Sequence, residues 1–429
     1  IMVISCFNIG GMKEKYLPRL VDKEFDDYLS VCGALSVEGP KWCGKTWTSE
    51  FHSESSVFIA SPENNHQNRE MAKMNPSLVL EGKTPRLIDE WLEVPSLWDA
   101  VRAEVDNRAQ AGQFILTGST RPLREEYFHS GAGRIGTIKM GTMSLFESGN
   151  SSGKVRIKSL FDGTFIPEVS NDVSLEQLAF LCVRGGWPGN LISNENNCSI
   201  LPRQYIDKFL NDDALSFRRF RVSKDRLDIL LKSLARNEST CATVAKLKDD
   251  TQMDEETISR YLEVLEYLYI LENQKPFHPN VRSSVRLKQG VKRHFTDPSL
   301  ACALLGLEVD GLINDLQTFG FIFEALCERD LRVYTSALGG SLYHYQDYKN
   351  NEIDAVVELR NGKWGAFEIK LGANKIDEAA QNLLKIEKDF NNDSLAKKPS
   401  FLCVICGLTN YSYRRPDGVY VVPITALAP

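Results

Sequence analysis

Apolar and polar positions alternate along this chain in blocks, and the period of the alternation changes several times. Ala34–Val37, SVFIAS (56–61), PRLIDEW (85–91) and QFILTGSTRP (113–122) each contain a short apolar run of strand length. Enough chain separates them for crossover helices, which predicts parallel strands. VSLEQLAFLCVRGGWPGNL (173–191) has helical periodicity and stops at Gly-Gly-Trp-Pro-Gly. Within 226–275, RLDILLKSLARNES, ATVAKLKDD and MDEETISRYLEVLEYLYILEN place apolar residues at helical spacing. A strand is expected to start at Leu268 to Leu271, so this succession predicts a winged helix-turn-helix. TFGFIFEALCERDLRVY (318–334) reads as an amphipathic helix, and HYQDYKNNEIDAVVEL and KWGAFEIKLG as a hairpin around Asn361 and Gly362. FLCVICG holds Cys403 and Cys406 without a second pair or a nearby histidine, so it predicts a buried strand and no zinc site.

Length and composition bound this picture. At 429 residues the chain exceeds one ordinary core, and the Gly/Ser-rich SGNSSGKVRI (148–157) marks a boundary. The domains expected are 12–150, 170–300 and 301–429. With 42% hydrophobic and 25% charged residues the composition is globular, and a net charge of −6 gives no global argument for nucleic-acid binding. Ten cysteines without a paired framework imply a reducing, cytoplasmic compartment. No apolar stretch reaches the roughly 18 residues of a membrane span. The opening IMVISCFNIGG lacks a basic leader and a small-residue cleavage site, so no signal peptide is expected and Met12 is a candidate start.

Chemistry enters at GALSVEGPKWCGKTWTSEF, where Gly39, four residues, Gly44, Lys45 and Thr46 complete a P-loop pattern between a strand and a helix. The loop from Gly39 through Pro40, Lys41 and Cys43 to Gly44 is expected to cradle phosphates with backbone N–H groups. Lys45 would reach the β- and γ-phosphates, and Thr46 would ligate magnesium. The strand in PRLIDEW ends in Asp89 and Glu90, which suit a magnesium-binding carboxylate and a water-activating one. The polar end of the next strand offers Thr117 and Ser119 to sense the γ-phosphate and orient water. The cofactors expected are ATP and Mg2+.

GPKWCGKT, LIDEW, FILTGSTRP and HSGAGRI (129–135) together resemble a prokaryotic group of AAA-type ATPases. In that group an ATPase core is joined to a C-terminal domain of unknown function with a restriction-endonuclease-like fold. The resemblance runs from YLPRLVD (16–22) to about residue 375. It implies an α/β chain with an N-terminal P-loop AAA-type ATPase on a parallel sheet, a middle winged-helix-like region and a C-terminal restriction-endonuclease-like domain. The family's glycine-arginine pair maps onto Gly133 and Arg134. Arg134 would contact the γ-phosphate, in cis or from a neighbouring subunit of a homo-oligomer, or else pair with a local carboxylate. The glycine-rich turn after the helix in 173–191 is read as scaffolding.

In the C-terminal third, Glu324, Asp354 and then Glu368-x-Lys370 follow the PD-(D/E)xK nuclease pattern without its leading Pro. Such carboxylates hold divalent metal, and the lysine stabilises hydroxide or developing charge. A two-residue turn would set Asp354 on the wrong face. A three-residue loop, Arg360 to Gly362 with Gly362 left-handed, sets it opposite Glu368, with Lys370 on the same face. Opposed carboxylates need a cation, either a metal or Lys370 itself. For nucleic acid, the third helix of 226–275 is unfavourable, since Asp254, Glu255, Glu256, Glu263 and Glu266 outweigh Arg260. The basic runs FRRFRVSKDR (217–226) and VRSSVRLKQGVKR (281–293) are candidate DNA contacts or solvated loops. Two functions follow: an ATPase coupled to a nuclease-like domain acting on nucleic acid, or an ATP-switched interaction protein with a non-catalytic scaffold. The partners expected are ATP and either DNA or a protein, with no membrane.

Overall fold

Strand-length apolar runs flanked by amphipathic helices can bury both faces only as the middle layer of a sandwich, and the first third of the chain does this. A computed structural model describes residues 16–63, 66–120, 129–213, 222–349, 351–392 and 394–429. By internal contacts the chain divides into two units. The first takes the chain up to Thr142 with Trp187–Ile192 and Tyr267–Tyr269, and the second takes the rest.

The first unit holds β1 (Ala34–Glu38), β2 (Ser55–Phe58), β3 (Arg86–Asp89), β4 (Phe114–Gly118) and β5 (Ile135–Lys139) in one sheet ordered β2-β3-β4-β1-β5. Every neighbouring pair is parallel. Successive residues of β1 enter opposite layers. Ala34 packs with Ile88, Phe114 and the face Leu97, Trp98, Val101 and Val105 of α4 (Ser96–Arg108). The helices before it in the chain are α1 (Asp22–Leu29), α2 (Lys45–Phe51) and α3 (Gln67–Met74). Leu35 and Val37 pack with Ile115, Ile138 and Phe25 of α1 on the other side. Because the strands are parallel, their carboxyl ends share one edge, and β4 lies between β1 and β3. The polar residues after β1, β3 and β4 are therefore neighbours.

The second unit is built on a mixed sheet of nine strands in the order β7-β14-β15-β13-β12-β11-β10-β8-β9. These are β7 (Glu168–Val169), β8 (Leu271–Pro276), β9 (Lys292–Phe295), β10 (Ser341–Gln346), β11 (Glu352–Glu358), β12 (Trp364–Lys370), β13 (Phe401–Cys406), β14 (Tyr411–Arg414) and β15 (Tyr420–Pro423). A separate parallel pair joins β6 (Val155–Arg156) to β16 (Leu427–Ala428). The run FLCVICG is the wholly buried β13. Its helices include α5 (Leu175–Arg184), α6 (Lys224–Arg236), α7 (Val244–Thr251), α8 (Glu255–Tyr267), α9 (Pro298–Leu305), α10 (Leu316–Ala337) and α11 (Ile376–Phe390). The apolar stripe Ile376, Ala379, Ala380, Leu383, Ile386 and Phe390 lays α11 over Val356, Trp364, Ala366, Val404 and Val421 of the sheet. The succession α6, α7, α8 then β8 and β9 follows the expected order of three helices and a strand pair. Here β8 also pairs in parallel with β10, so the strand pair is the edge of the large sheet and not a free wing.

One buried charge cluster inside the second unit ties together stretches of chain far apart in sequence. On α10, Arg329 reaches Asp330 Oδ1 through Nη2 at 2.7 Å and Asp297 Oδ2 through Nη1 at 3.1 Å. Asp297 Oδ2 accepts the Gly186 N–H at 2.9 Å, Asp330 Oδ2 accepts the Leu145 N–H at 3.0 Å, and the Met143 N–H meets the Gly186 carbonyl at 2.7 Å. Arg329 is 4% exposed and both aspartates 0%. Truncating the cation would leave two carboxylates in a dry site. Arg329→Ala is expected to cost about 3–5 kcal/mol, read as a lowered urea midpoint. A loss below about 1 kcal/mol would mean that other contacts hold these segments.

Candidate functional site

The site in the first unit starts from a loop that few side chains could occupy. Gly39 has φ +152°, and a Cβ there would lie 2.0 Å from the Met140 carbonyl oxygen. The chain turns here from β1 into α2, bringing Lys45 and Thr46 beneath the loop. Lys45 is 5% exposed, and its Nζ donates to the carbonyls of Gly39 at 2.9 Å and Pro40 at 2.8 Å. Thr46 Oγ1 donates to Asp89 Oδ1 at 2.8 Å, and Thr117 Oγ1 donates to the same oxygen at 2.7 Å. Thr117 Oγ1 in turn accepts the Glu90 N–H at 3.0 Å, and Ser119 Oγ donates to Glu90 Oε1 at 2.7 Å. Glu90 sits at φ +54°, a strained conformation for this residue type. Burial raises its carboxyl above the usual range and Asp89 adds to this, while the Ser119 bond and Lys45 oppose it.

All these groups come together as the strand order requires. Lys41 is exposed and Cys43 buried in the loop, with Cys43 Sγ donating to the Met140 carbonyl at 3.4 Å. Arg134 is held elsewhere: its Nε donates to Asp106 Oδ1 at 2.9 Å, the local carboxylate pairing that was one of its two readings. Two groups at this site had no signal in local sequence. Arg19 holds the Cys43 carbonyl, and Tyr269 OH donates to Glu38 Oε2 at 2.6 Å just before Gly39. Each is distant in sequence from the residue it meets, and neither belongs to a spacing pattern.

Does the donor set suit ATP with magnesium? A buried ammonium bonded to loop carbonyls, a hydroxyl on a carboxylate and a glycine loop of this shape form a site for a polyphosphate and a hard divalent cation. Thr46 and Asp89 would hold the cation, and Lys45 with the loop would hold the phosphates. The residues fit.

The second constellation lies on β11 and β12. Ala355 faces Phe367, so Asp354 falls opposite Glu368 one step further along. The loop is Arg360 to Gly362, closed by the Leu359 N–H on the Lys363 carbonyl at 2.9 Å, and Gly362 has φ +76°. Lys370 Nζ donates to Glu368 Oε2 at 2.8 Å and to Asp354 Oδ2 at 3.3 Å. Asp354 Oδ2 also accepts the Ile369 N–H at 2.7 Å, and Glu368 Oε1 accepts from Asn382 on α11 at 2.7 Å. Burial first, then Asp354, pushes the Glu368 carboxyl up to about 8 against the pull of Lys370.

Glu324 on α10 is paired with the buried Lys292 of β9, which also donates to Glu328 Oε1 at 3.0 Å. His294 lies between Glu328 Oε2 and Glu238 Oε1, each at 3.0 Å. Burial alone would raise Glu328, but His294 and Lys292 outweigh it and hold the carboxyl at about 2. Burial likewise pulls His294 down, and Glu328 and Glu238 bring it above its ordinary value. Among the described residues no three His, Cys, Asp or Glu side chains converge as a metal-holding group. The cage expected of Glu324, Asp354 and Glu368 is laced by two ammonium groups. Glu328 was legible as the i+4 neighbour of Glu324 on one helix face; Lys292 was hidden in a basic run.

That run changes character in the fold. Of 281–293, Arg286 makes a bidentate pair with Glu358 at 3.0 and 3.1 Å, Lys292 is buried, and Arg293 donates to the Ala242 carbonyl at 2.8 Å. These three cations serve the protein itself, and Arg282 of the same run is exposed. Of 217–226, residues 217–221 lie outside the described residues, and Lys224 donates to Asn211 Oδ1 at 2.6 Å.

Comparison with known proteins adds family matches. Residues 33–148 match a family described as AAA domain, and residues 175–311 and 319–427 match two domains of unknown function, DUF8612 and DUF4143. Uncharacterised proteins of Mycobacterium bovis and Mycobacterium tuberculosis are each 24% identical over 336 residues, spanning 77% of this chain and 69% of the relative. Among solved structures, a Walker-type ATPase of Pyrococcus abyssi aligns with 68% of this chain and 97% of its own, at 14% identity and a TM-score of 0.41. The segment 33–148 is an AAA-type P-loop ATPase domain. No helix among the described residues is long and apolar enough to cross a membrane.

The buried imidazole gives a pH signature. The folded pKa of His294 is raised above its ordinary 6.5, so its contribution to stability is full below about pH 6.5 and lost as pH rises through the folded value. The unfolding free energy of the wild type minus that of His294→Gln should therefore shrink between about pH 6 and pH 9. A difference that stays constant would show the His294 pKa to be the same folded and unfolded, and one that grows with pH would show a neutral imidazole in the fold.

Proposed function

We propose that this chain is a magnesium-dependent ATPase whose second unit is a non-catalytic scaffold switched by the nucleotide. The observation that carries the first part is the shared Asp89 oxygen, which takes the Thr46 and Thr117 hydroxyls at 2.8 and 2.7 Å. Neutral donors leave the carboxylate's charge uncompensated, and a divalent cation beside Thr46 would compensate it. ATP with Mg2+ supplies that cation and the phosphoryl group transferred to water. Lys45 would release the Gly39 and Pro40 carbonyls and take phosphate oxygens. Glu90, raised by burial and oriented by Ser119, would position or accept a proton from the attacking water. Ser119 and Thr117 keep the two carboxylates apart in role: one beside the cation, the other facing water.

For the second unit, Asp354 and Glu368 share Lys370, and Glu324 has Lys292, so each carboxylate has an ammonium partner within the chain. This supports retention of a nuclease-like hairpin as a folded platform for a protein partner. The register that sets Asp354, Glu368 and Lys370 on one face favours the second reading, a metal-dependent nuclease acting on nucleic acid.

Two experiments decide these points. Lys45→Ala should abolish nucleotide binding, and Glu90→Gln should retain binding while hydrolysis falls roughly 10²-fold or more. Wild-type affinity in Lys45→Ala would end the ATP reading. On the scaffold side, the full chain with Mg2+ or Mn2+ should leave plasmid DNA intact. Cleavage that Asp354→Asn removes would replace the scaffold with the nuclease.

A further inference from the structure

A loop that aims its N–H groups at phosphates must turn its carbonyls outward and still satisfy them. Two cations do so here. Lys45 takes the carbonyls of Gly39 and Pro40. Arg19, in the segment before α1, takes the Cys43 carbonyl through Nη1 at 2.9 Å and the Gly141 carbonyl through Nη2 at 3.0 Å. One planar guanidinium therefore spans the P-loop and the chain after β5, a reach that a point-like ammonium lacks. Arg19 is 8% exposed, and its own N–H is anchored on Asp22 Oδ2 at 2.8 Å. A Cβ built on Gly44 would stand 3.3 Å from Nη1, so the guanidinium lies directly against the loop.

In a planar trans peptide the C=O and N–H point in opposite directions. Fixing the Cys43 carbonyl on Arg19 therefore turns the Gly44 N–H to the far side of the peptide, away from the guanidinium. We propose that Arg19 is a positioning residue for nucleotide binding, holding the Cys43–Gly44 peptide so that the Gly44 N–H is presented to a phosphate; this rests on the ATP-binding reading. The two cations then divide the loop. Lys45 exchanges carbonyls for phosphate oxygens when nucleotide enters, and Arg19 stays on the outer side and keeps the loop shape. The group recognised through Arg19 is the polyphosphate, so ATP and ADP should be affected alike and base identity should not matter.

The test uses the full chain, a fluorescent ATP analogue with Mg2+, and the variants Arg19→Ala, Arg19→Lys and Lys45→Ala, each checked by thermal melting. Arg19→Ala should weaken binding about ten- to hundredfold, the equivalent of one charge-assisted hydrogen bond, with KM moving more than kcat. Millimolar guanidinium should restore part of the affinity in Arg19→Ala and none in Lys45→Ala. Arg19→Lys, which keeps the charge and reaches one carbonyl, should lie between. If Arg19→Ala fails to fold, wild-type affinity in Arg19→Lys overturns the inference. If Arg19→Ala folds and binds like the wild type while Lys45→Ala does not bind, the inference fails and the ATP reading stands. If the wild type itself does not bind nucleotide, the premise fails and the inference with it.

Discussion

A charge withdrawn from water must bring its partner along, and this constraint shapes both units more than any single contact. Arg329 shows it best. Flanked by Asp297 and Asp330 in a dry interior, it fixes a helix, a turn at Gly186 and the backbone at Leu145 through one set of hydrogen bonds. Neutral residues could fill that volume, but they would not specify which backbone N–H groups must arrive there. The cluster therefore fixes the backbone of the second unit beside Leu145 and Gly186.

The same constraint separates two carboxylate sites that look alike in sequence. Asp89 and Glu90 are served by the hydroxyls of Thr46, Thr117 and Ser119. Hydroxyls satisfy lone pairs without cancelling charge. Asp354, Glu368, Glu324 and Glu328 are served by Lys370 and Lys292, which cancel charge as well as satisfy lone pairs. The acidic strand ends are thus met by hydroxyls in one unit and by ammonium groups in the other. The difference lies in the donors and not in the acids.

Much of the first unit was legible because its signals are local. The strands at Ala34, Ser55, Arg86 and Phe114 announce themselves as apolar runs, and the P-loop spacing is fixed by the backbone turn it encodes. The hairpin loop at Arg360 to Gly362 was legible for a similar reason, since only one loop length gives the pleat alternation that sets Asp354 and Glu368 on one face. Less legible was the basic run at 281–293. Its cations alternate along short elements whose burial depends on what packs above them, so a stretch that reads as a solvated face became Lys292 inside and Arg286 stacked over Phe277.

By itself, then, the sequence determined the order of elements, the P-loop with Asp89 and Glu90 at strand ends, and the face shared by Asp354, Glu368 and Lys370. Periodicity and turn chemistry act over a few residues, and these features need nothing more. Only the tertiary structure decided that Arg19 would reach Cys43, that Tyr269 would meet Glu38, and that Lys292 would take Glu324. Those pairings join residues 24 or more positions apart, where the chain can bring many groups together. Which of them meet is settled by the packing of whole sheets and helices, because a buried cation goes where the fold leaves a carboxylate or carbonyl without another donor.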